Sequence, residues 1–253
     1  MPSTIIPFGI IGTSTIAHNF VSHAQASGQW TLNAVYSRNV ETAKTFASKH
    51  NQAKTLEIHN SIEDLAASPS IQAVYIASPN SLHFSQAKLC LEQSKHVILE
   101  KPATSTSAEL ATLFGLAREK HLFLLEANRH LHELNFKRVA QNLHRLGSIY
   151  GASFTYASYS SRYTAVLTGS TPNIFSLEFS GGSLVDIGVY PISAAVALFG
   201  VPHQASYDPV IVRTGADGGG PVGRLPARFS HDHVRLVGIC GYPMCMMSSS
   251  PRS

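Results

Sequence analysis

Chemistry enters this chain first at Gly9-Ile-Ile-Gly12-Thr13-Ser14-Thr15-Ile16-Ala17, a glycine turn lying between an apolar run and an amphipathic segment. Gly12 permits a tight turn and Ala17 lets a helix pack closely on a sheet. Backbone amides and the helix N-terminus there, at Gly12, Thr13, Ser14, Thr15 and Ile16, can hold a pyrophosphate. Ser14 stands where the dinucleotide fingerprint has its second glycine; it is small and able to donate a hydrogen bond to a phosphate. Further on, Ser37-Arg38 closes a second apolar run. An acid at this place would accept the ribose 2′-hydroxyl of NAD, whereas a hydroxyl followed by a guanidinium suits the 2′-phosphate of NADP. NADP is therefore the expected cofactor, with NAD as the alternative.

These residues need a scaffold, and the hydrophobic pattern describes one. Ile5 to Ile11, Leu32 to Tyr36, Ala73 to Ala77, His96 to Leu99 and Leu122 to Leu125 read as buried strands alternating with amphipathic segments. Ser61 with Asp64, and Thr106 with Glu109, have the spacing of helix-start caps. After Thr106, Leu110, Leu113, Phe114 and Ala117 share one helical face. Strand and helix in alternation imply parallel pairing, so residues 1–128 are expected to form an α/β, doubly wound Rossmann sheet with its ligand at the carboxyl ends of the strands.

A helix is predicted from about Leu134 to Leu146, with Phe136, Val139, Ala140 and Leu143 on one side and Gly147 ending it. From Ser148 the pattern changes. Ile149 to Tyr159 and Ile174 to Phe179 read as strands, Asp186 to Phe199 as a helix, and Ala205 to Val212 as a further strand. Residues 129–220 are thus expected to be an incomplete α+β domain with a mainly antiparallel sheet, and residues 221–253 an irregular tail.

Two more segments fall at predicted strand ends: Ser78-Pro79-Asn80-Ser-Leu-His83, and Glu100-Lys101-Pro102. With the glycine turn, they make the chain resemble the glucose-fructose oxidoreductase and inositol dehydrogenase (Gfo/Idh/MocA) family, whose members carry a GxGxxA-like turn, a (T/S)PNxxH segment and an EKP tripeptide in this order. The resemblance implies cofactor contacts from Ser78, Pro79, Asn80, His83, Glu100 and Lys101, with Lys101 beside the nicotinamide and the substrate oxygen. An ammonium there would stabilise a developing alkoxide and lower the pKa of a neighbouring acid.

A third signature is Gly181-Gly-Ser-Leu-Val-Asp186-Ile-Gly188-Val-Tyr190-Pro191. Many members have histidine where Tyr190 stands; the tyrosine resembles the branch that holds the dihydrodiol dehydrogenases and glucose-fructose oxidoreductase. On one helix, Asp186 and Tyr190 would project to the same face. The phenol, ordinarily near ~10 and lowered by Lys101, would pass a proton to or from a substrate oxygen while Asp186 orients a substrate hydroxyl. The resemblance implies hydride transfer between a nicotinamide and a sugar, polyol or other carbonyl compound. It draws attention to Glu126 to His132 without singling out a side chain.

Composition narrows the classes. Of 253 residues, 44% are hydrophobic and 13% charged, which suits a packed globular chain. The net charge of +4 is scattered, with no basic run or face to bind nucleic acid. No secretory signal is read at Met1 to Pro7, and no apolar stretch reaches the ~20 residues of a membrane span. Three cysteines, Cys90, Cys240 and Cys245, form no paired framework, so the cytoplasm is the expected compartment. His130 with His132, or His231-Asp232-His233, lack a third ligand at sensible spacing, and no metal is expected.

The resemblance ends near Gly219, and family members continue through further strands that often form their dimer interface. The chain therefore reads as C-terminally truncated, a homo-oligomer is doubtful, and a non-catalytic NADP-binding protein is the alternative function.

Overall fold

The structure, a computed structural model, describes residues 5–50, 56–226 and 234–236. The chain divides into two compact units, Met1–Ala127 and Asn128–Ser253. The first holds strands β1 (Ile6–Ile11), β2 (Trp30–Tyr36), β3 (Glu57–His59), β4 (Ala73–Ile76), β5 (His96–Leu99) and β6 (Leu124–Glu126). Between them run helices α1 (Thr15–Ala26), α2 (Val40–His50), α3 (Ile62–Ala67), α4 (His83–Glu92) and α5 (Ser107–Glu119). All six strands pair in parallel in the order β3-β2-β1-β4-β5-β6, the doubly wound sheet expected from the alternation.

Strand side chains alternate between two cores, as the period of two requires. Phe8, Ile10, Leu32, Val35 and Tyr75 pack with Val21 of α1 and Phe46 of α2. Ile11, Ala34, Val74, Ile76 and Leu99 pack on the other side with Leu65 of α3, Leu91 of α4 and Leu113 of α5. Both faces are buried, so the central strands carry near-continuous apolar runs. β3 escaped detection because it is a three-residue edge strand, Glu-Ile-His, with little to bury.

The helix starts follow the sequence. Ser61 Oγ accepts from the Asp64 amide at 3.1 Å. Thr106 and Glu109 form a reciprocal capping box, each side chain accepting from the other's backbone N–H. This box fixes the chain just after the Glu100-Lys101-Pro102 turn.

The second unit holds α6 (Arg129–His132), α7 (Leu134–Asn142), α8 (Tyr163–Leu167), α9 (Ser183–Asp186) and α10 (Val189–Phe199). Strands β7 (Pro202–Tyr207), β8 (Val222–Pro226) and β9 (Val234–Leu236) form an antiparallel sheet in that order. Gly147, at φ 70°, ends the single turn of 3-10 helix that follows α7. The apolar side of α7 is less covered than its pattern suggests: Val139 is 52% exposed and no residue of the helix is buried.

Several expectations change here. Ile149 to Tyr159 does not form a strand: its backbone pairs only at the isolated bridge residue Ser153, and a strand needs a continuous ladder. Among the described residues the ladder of this unit runs through β7, β8 and β9 instead. Ile174 to Phe179 folds into two single turns of 3-10 helix, Asn173–Phe175 and Leu177–Phe179, closed by hydrogen bonds such as Phe175 N to Pro172 O at 2.8 Å. A short apolar run does not by itself distinguish turn from strand.

Strands β8 and β9 occupy part of the region read as an irregular tail from residue 221. The helix expected from Asp186 to Phe199 is broken at Ile187-Gly188. Pro191 has no N–H for the Ile187 carbonyl and its ring would strike it in a continuous helix, so α10 starts afresh with the proline in its first turn. Asp186 and Tyr190 therefore lie on two helices, not on one helical face. His231-Asp232-His233 lies outside the described residues.

Replacing Thr106 by alanine removes the cap between the lysine turn and α5. It should lower unfolding stability by about 1 kcal/mol in a urea titration, whereas Thr112→Ala, on the exposed side of α5, should cost less.

Candidate active site

One row of hydrogen bonds crosses the carboxyl edge of the parallel sheet. Gly12 N donates to Tyr36 O (3.5 Å), Ser37 N to His59 O (3.2 Å), Ala77 N to Ile11 O (2.8 Å), Glu100 N to Ile76 O (3.0 Å) and Ala127 N to Leu99 O (2.8 Å). Each donor is the first residue after its strand, so the chain leaves the sheet at one level. The glycine turn, Ser37-Arg38, Ser78 to Asn80 and Lys101 are thereby brought to one edge.

Gly12 has φ +106°, and a Cβ there would lie 2.6 Å from the Ala77 carbonyl oxygen. Only glycine allows β1 to turn this close to the end of β4. Ala17 is fully buried beneath α1. The N-cap Ser14 makes no side-chain cap and the first turn of α1 carries no acid, so its amides and dipole are left for an anion. Ile16 is 45% exposed at the mouth of this helix. These features fit a dinucleotide phosphate. Arg38 is exposed, and its guanidinium makes no ion pair or hydrogen bond among the described residues. Ser37 Oγ accepts from Asn39 N at 3.3 Å, which shapes the turn into α2.

At Ser78-Pro79-Asn80 the chain starts a single turn of 3-10 helix, Asn80–Leu82, running into α4. His83 is a correction to the expected cofactor contacts, since it is fully buried. Its Nδ1 lies 2.9 Å from Pro102 O and its Nε2 3.0 Å from Ser78 O. It clamps the two loops together, with both ring nitrogens turned to backbone carbonyls. A neutral imidazole donates to one of these carbonyls at a time, and only the imidazolium donates to both. Burial nevertheless outweighs those bonds and the nearby Glu100, holding the His83 pKa below its ordinary value.

Glu100 is likewise engaged in shaping the turn. Tyr75 donates its hydroxyl to Oε1, and Oε2 accepts from Lys101 N at 3.2 Å. Ala103 N donates to Glu126 Oε1 at 2.8 Å. The half-buried Lys101 thus stands on a turn whose neighbours are tied by side chains from β4, α4 and β6; the Lys101–Pro102 peptide is cis.

In the second unit, Asp186 lines a cavity of about 400 Å³ with Tyr156, Tyr159, Ser158, Ser160, Ser161, Ser183 and Arg162. Tyr190, at the start of α10, is held between two rings. Tyr156 stacks on it with centroids 5.3 Å apart, and His130 meets it edge-on at 4.9 Å. His130 Nε2 lies 2.8 Å from Ser193 Oγ, which itself donates to Val189 O at 2.5 Å, so the histidine is the donor to the serine. Burial lowers the His130 pKa.

Asp217 holds the other end of the signature: its carboxylate accepts from Leu184 N (2.7 Å) and Tyr207 OH (2.6 Å). A Cβ on Gly182, at φ +137°, would collide with that carboxylate. Asp217 was not singled out from the sequence, and His130 was weighed only as a metal ligand with His132 and as part of the Glu126 to His132 segment, because their contacts are distant along the chain. Among the described residues no group of three His, Cys, Asp or Glu side chains is placed to hold a metal, and no single helix is long and apolar enough to cross a membrane.

Residues 6–127 match the model of the oxidoreductase family with an NAD-binding Rossmann fold, Gfo/Idh/MocA. The chain belongs to this family. It is 43% identical over 218 residues to the uncharacterized oxidoreductase YgjR of Escherichia coli, and 41% identical over 218 residues to the scyllo-inositol 2-dehydrogenase (NADP(+)) IolU of Bacillus subtilis. Each match covers 86% of this chain and 66% of the relative, so the chain spans just under two thirds of their length.

Its fold is similar to that of KijD10, a 3-ketoreductase from Actinomadura kijaniata solved with NADP and TDP-benzene. The TM-score is 0.81 at 25% identity, covering 94% of this chain and 71% of that one. Two further structures of that ketoreductase carry a tyrosine-to-phenylalanine and a lysine-to-alanine replacement, with TM-scores of 0.79 and 0.74.

The depressed His83 pKa has a definite sign in stability. Unfolded chain binds a proton near the ordinary 6.5, whereas the folded protein does so only at lower pH. Stability from this residue is complete above about 6.5 and is lost as pH falls from there through the folded value. Urea midpoints measured from pH 8 to pH 5 should therefore fall less steeply for His83→Gln than for the unaltered protein. Parallel curves would refute the assignment.

Proposed function

We propose that this family member is an NADP-dependent oxidoreductase, with NAD as a weaker alternative, acting on a sugar, polyol or related hydroxy or carbonyl compound. The observation that carries the reading is the single carboxyl edge of the sheet at which the Gly12 turn, Ser37-Arg38, Ser78-Asn80 and Lys101 leave their strands. The NADP-dependent inositol dehydrogenase and the NADP-bound ketoreductase among the similar proteins support it.

The amides of Thr13, Ser14 and Thr15 bind the pyrophosphate, and Arg38 with Ser37 takes the 2′-phosphate by charge-assisted hydrogen bonds. When bound, the cofactor supplies the acceptor or donor of hydride. To Tyr190 we assign the proton exchanged with a substrate oxygen, and to Lys101 the stabilisation of developing negative charge. Asp186 accepts hydrogen bonds from a substrate hydroxyl. The serine hydroxyls and tyrosine faces around it suit a polyhydroxylated substrate.

Fluorescence titration should show NADPH bound more tightly than NADH, with Arg38→Ala removing the preference by about tenfold, the size of one lost charge-assisted bond. On a panel of polyols and aldoses, Lys101→Met and Tyr190→Phe should each lower kcat by about a hundredfold or more while leaving cofactor affinity within a few-fold. Binding without turnover on any of these compounds would favour the non-catalytic NADP-binding alternative, and absence of both would remove the reading altogether.

A further inference from the structure

A second cavity, about 330 Å³, opens in the first unit between α1 and α2, lined by Thr13, His18, Asn39, Glu41, Thr42 and Phe46 among others. Thr13 directly follows the Gly12 turn, and Asn39 directly follows Ser37-Arg38. The cavity therefore lies between the two segments to which the proposed function gives the pyrophosphate and the 2′-phosphate.

His18 is an unusual residue to find in its wall. Its Nδ1 lies 2.6 Å from Nε2 of His50, which is buried at the end of α2. Its ring lies against Phe46, centroids 4.3 Å apart, so both its position and its plane are fixed. With Nδ1 turned to His50, Nε2 is the remaining polar atom of the ring. If His50 donates, the neutral His18 carries its own proton on Nε2; if His18 takes up a second proton, Nε2 is again a donor. In both of these states the ring offers an N–H to a phosphate oxygen; in the remaining neutral tautomer, with Nδ1–H given to His50, Nε2 is an acceptor, and a phosphate beside it selects against that state.

We propose that His18 is a specificity-determining residue for the dinucleotide: its Nε2–H, braced by His50, contacts the 2′-phosphate of NADP, and a proton is taken up by the histidine pair on binding. The proposal rests on the NADP reading above and adds to Arg38 a second, titratable contact.

The surrounding charges set its pH behaviour. Burial and Lys49 of α2 keep both histidines below their ordinary pKa, His50 being lowered by His18 as well, so the free pair is neutral near pH 7. Glu41, in the first turn of α2, is paired with Lys44 at 2.8 Å and both are exposed, which leaves little net charge at the rim. Arg38 lies beyond β2 and contributes positive charge whether or not His18 is protonated. A dianion beside the ring reverses the balance and raises the His18 pKa. One proton suffices, since charging both rings would place two cations in contact.

The test uses the whole chain and two-dimensional NMR of the histidine ring nitrogens, with His18 assigned by its loss in His18→Gln. Saturating NADPH should raise the His18 midpoint by about one unit or more, equivalent to a tenfold linkage, and NADH should leave it unchanged. In direct binding at pH 7, His18→Gln should weaken NADPH by about tenfold and NADH by less than about twofold. Because the 2′-phosphate itself protonates near ~6 and weakens as it does so, the pH dependence is read as the difference between the unaltered protein and His18→Gln. Should that variant not fold, His50→Gln retains the Nε2 donor and should reduce the NADPH-induced shift. Equal midpoints with NADPH and NADH, while Arg38→Ala still abolishes the preference, would overturn the role of His18 and leave the NADP reading intact. No preference for NADPH in the unaltered protein would overturn both.

Discussion

The structure of the first unit depends on hydrogen bonds that bring five strand ends to a common level. Parallel strands pair with evenly spaced, slanted bonds, and here the last bond of each strand is made by the residue that begins the following loop. A shift of one residue would send every core side chain to the opposite face, exchanging Ile10 with Ile11 between the two cores. The apolar pattern thereby locks the register, and the register in turn sets where each loop starts. Loops that look unrelated in sequence become neighbours because their strands cannot slide.

The second unit gains its order differently. It has a small buried core around Ala195 and Val222, and its signature segment is held by polar anchors. Asp217 satisfies the Leu184 amide at the start of α9 and takes the Tyr207 hydroxyl of β7, linking helix and sheet through one carboxylate. The desolvated phenol beside that carboxylate has its pKa raised, so it remains a donor at any physiological pH. The break at Gly188 lets α10 start at Val189, which puts Tyr190 in its first turn with the rings of His130 and Tyr156 on either side.

Much of the first unit was legible because its signals are local. Continuous apolar runs mark strands buried on both faces, and hydroxyl-to-acid spacings mark Ser61 and Thr106 as caps. The edge strand Glu57–His59 has no such run. In the second unit the same rules misjudged Ile149 to Tyr159, where backbone pairing is confined to a single bridge residue, Ser153, and Asp186 to Phe199, where Pro191 was not weighed as a helix breaker. The candidate site divides in the same way. The tight turn at Gly12 was readable from residue type and place. The clamp made by His83 was not, because an isolated histidine does not disclose that both its nitrogens face carbonyls from different loops.

In the reaction proposed for this chain, that clamp would let a flexible lysine serve where fixed charge is rewarded. Lysine has a long stem with many rotamers, and an ammonium that must be ordered during the reaction forfeits part of its electrostatic benefit. The fold answers at the backbone. Lys101 N is held by Glu100, Pro102 O by His83 and Ala103 N by Glu126, so three consecutive residues are each anchored by a side chain. Glu100 is fixed in its turn by Tyr75, which stacks on Phe20 of α1 with centroids 3.7 Å apart. Rigidity thus passes from the core, through a phenol and two carboxylates, to the base of the lysine.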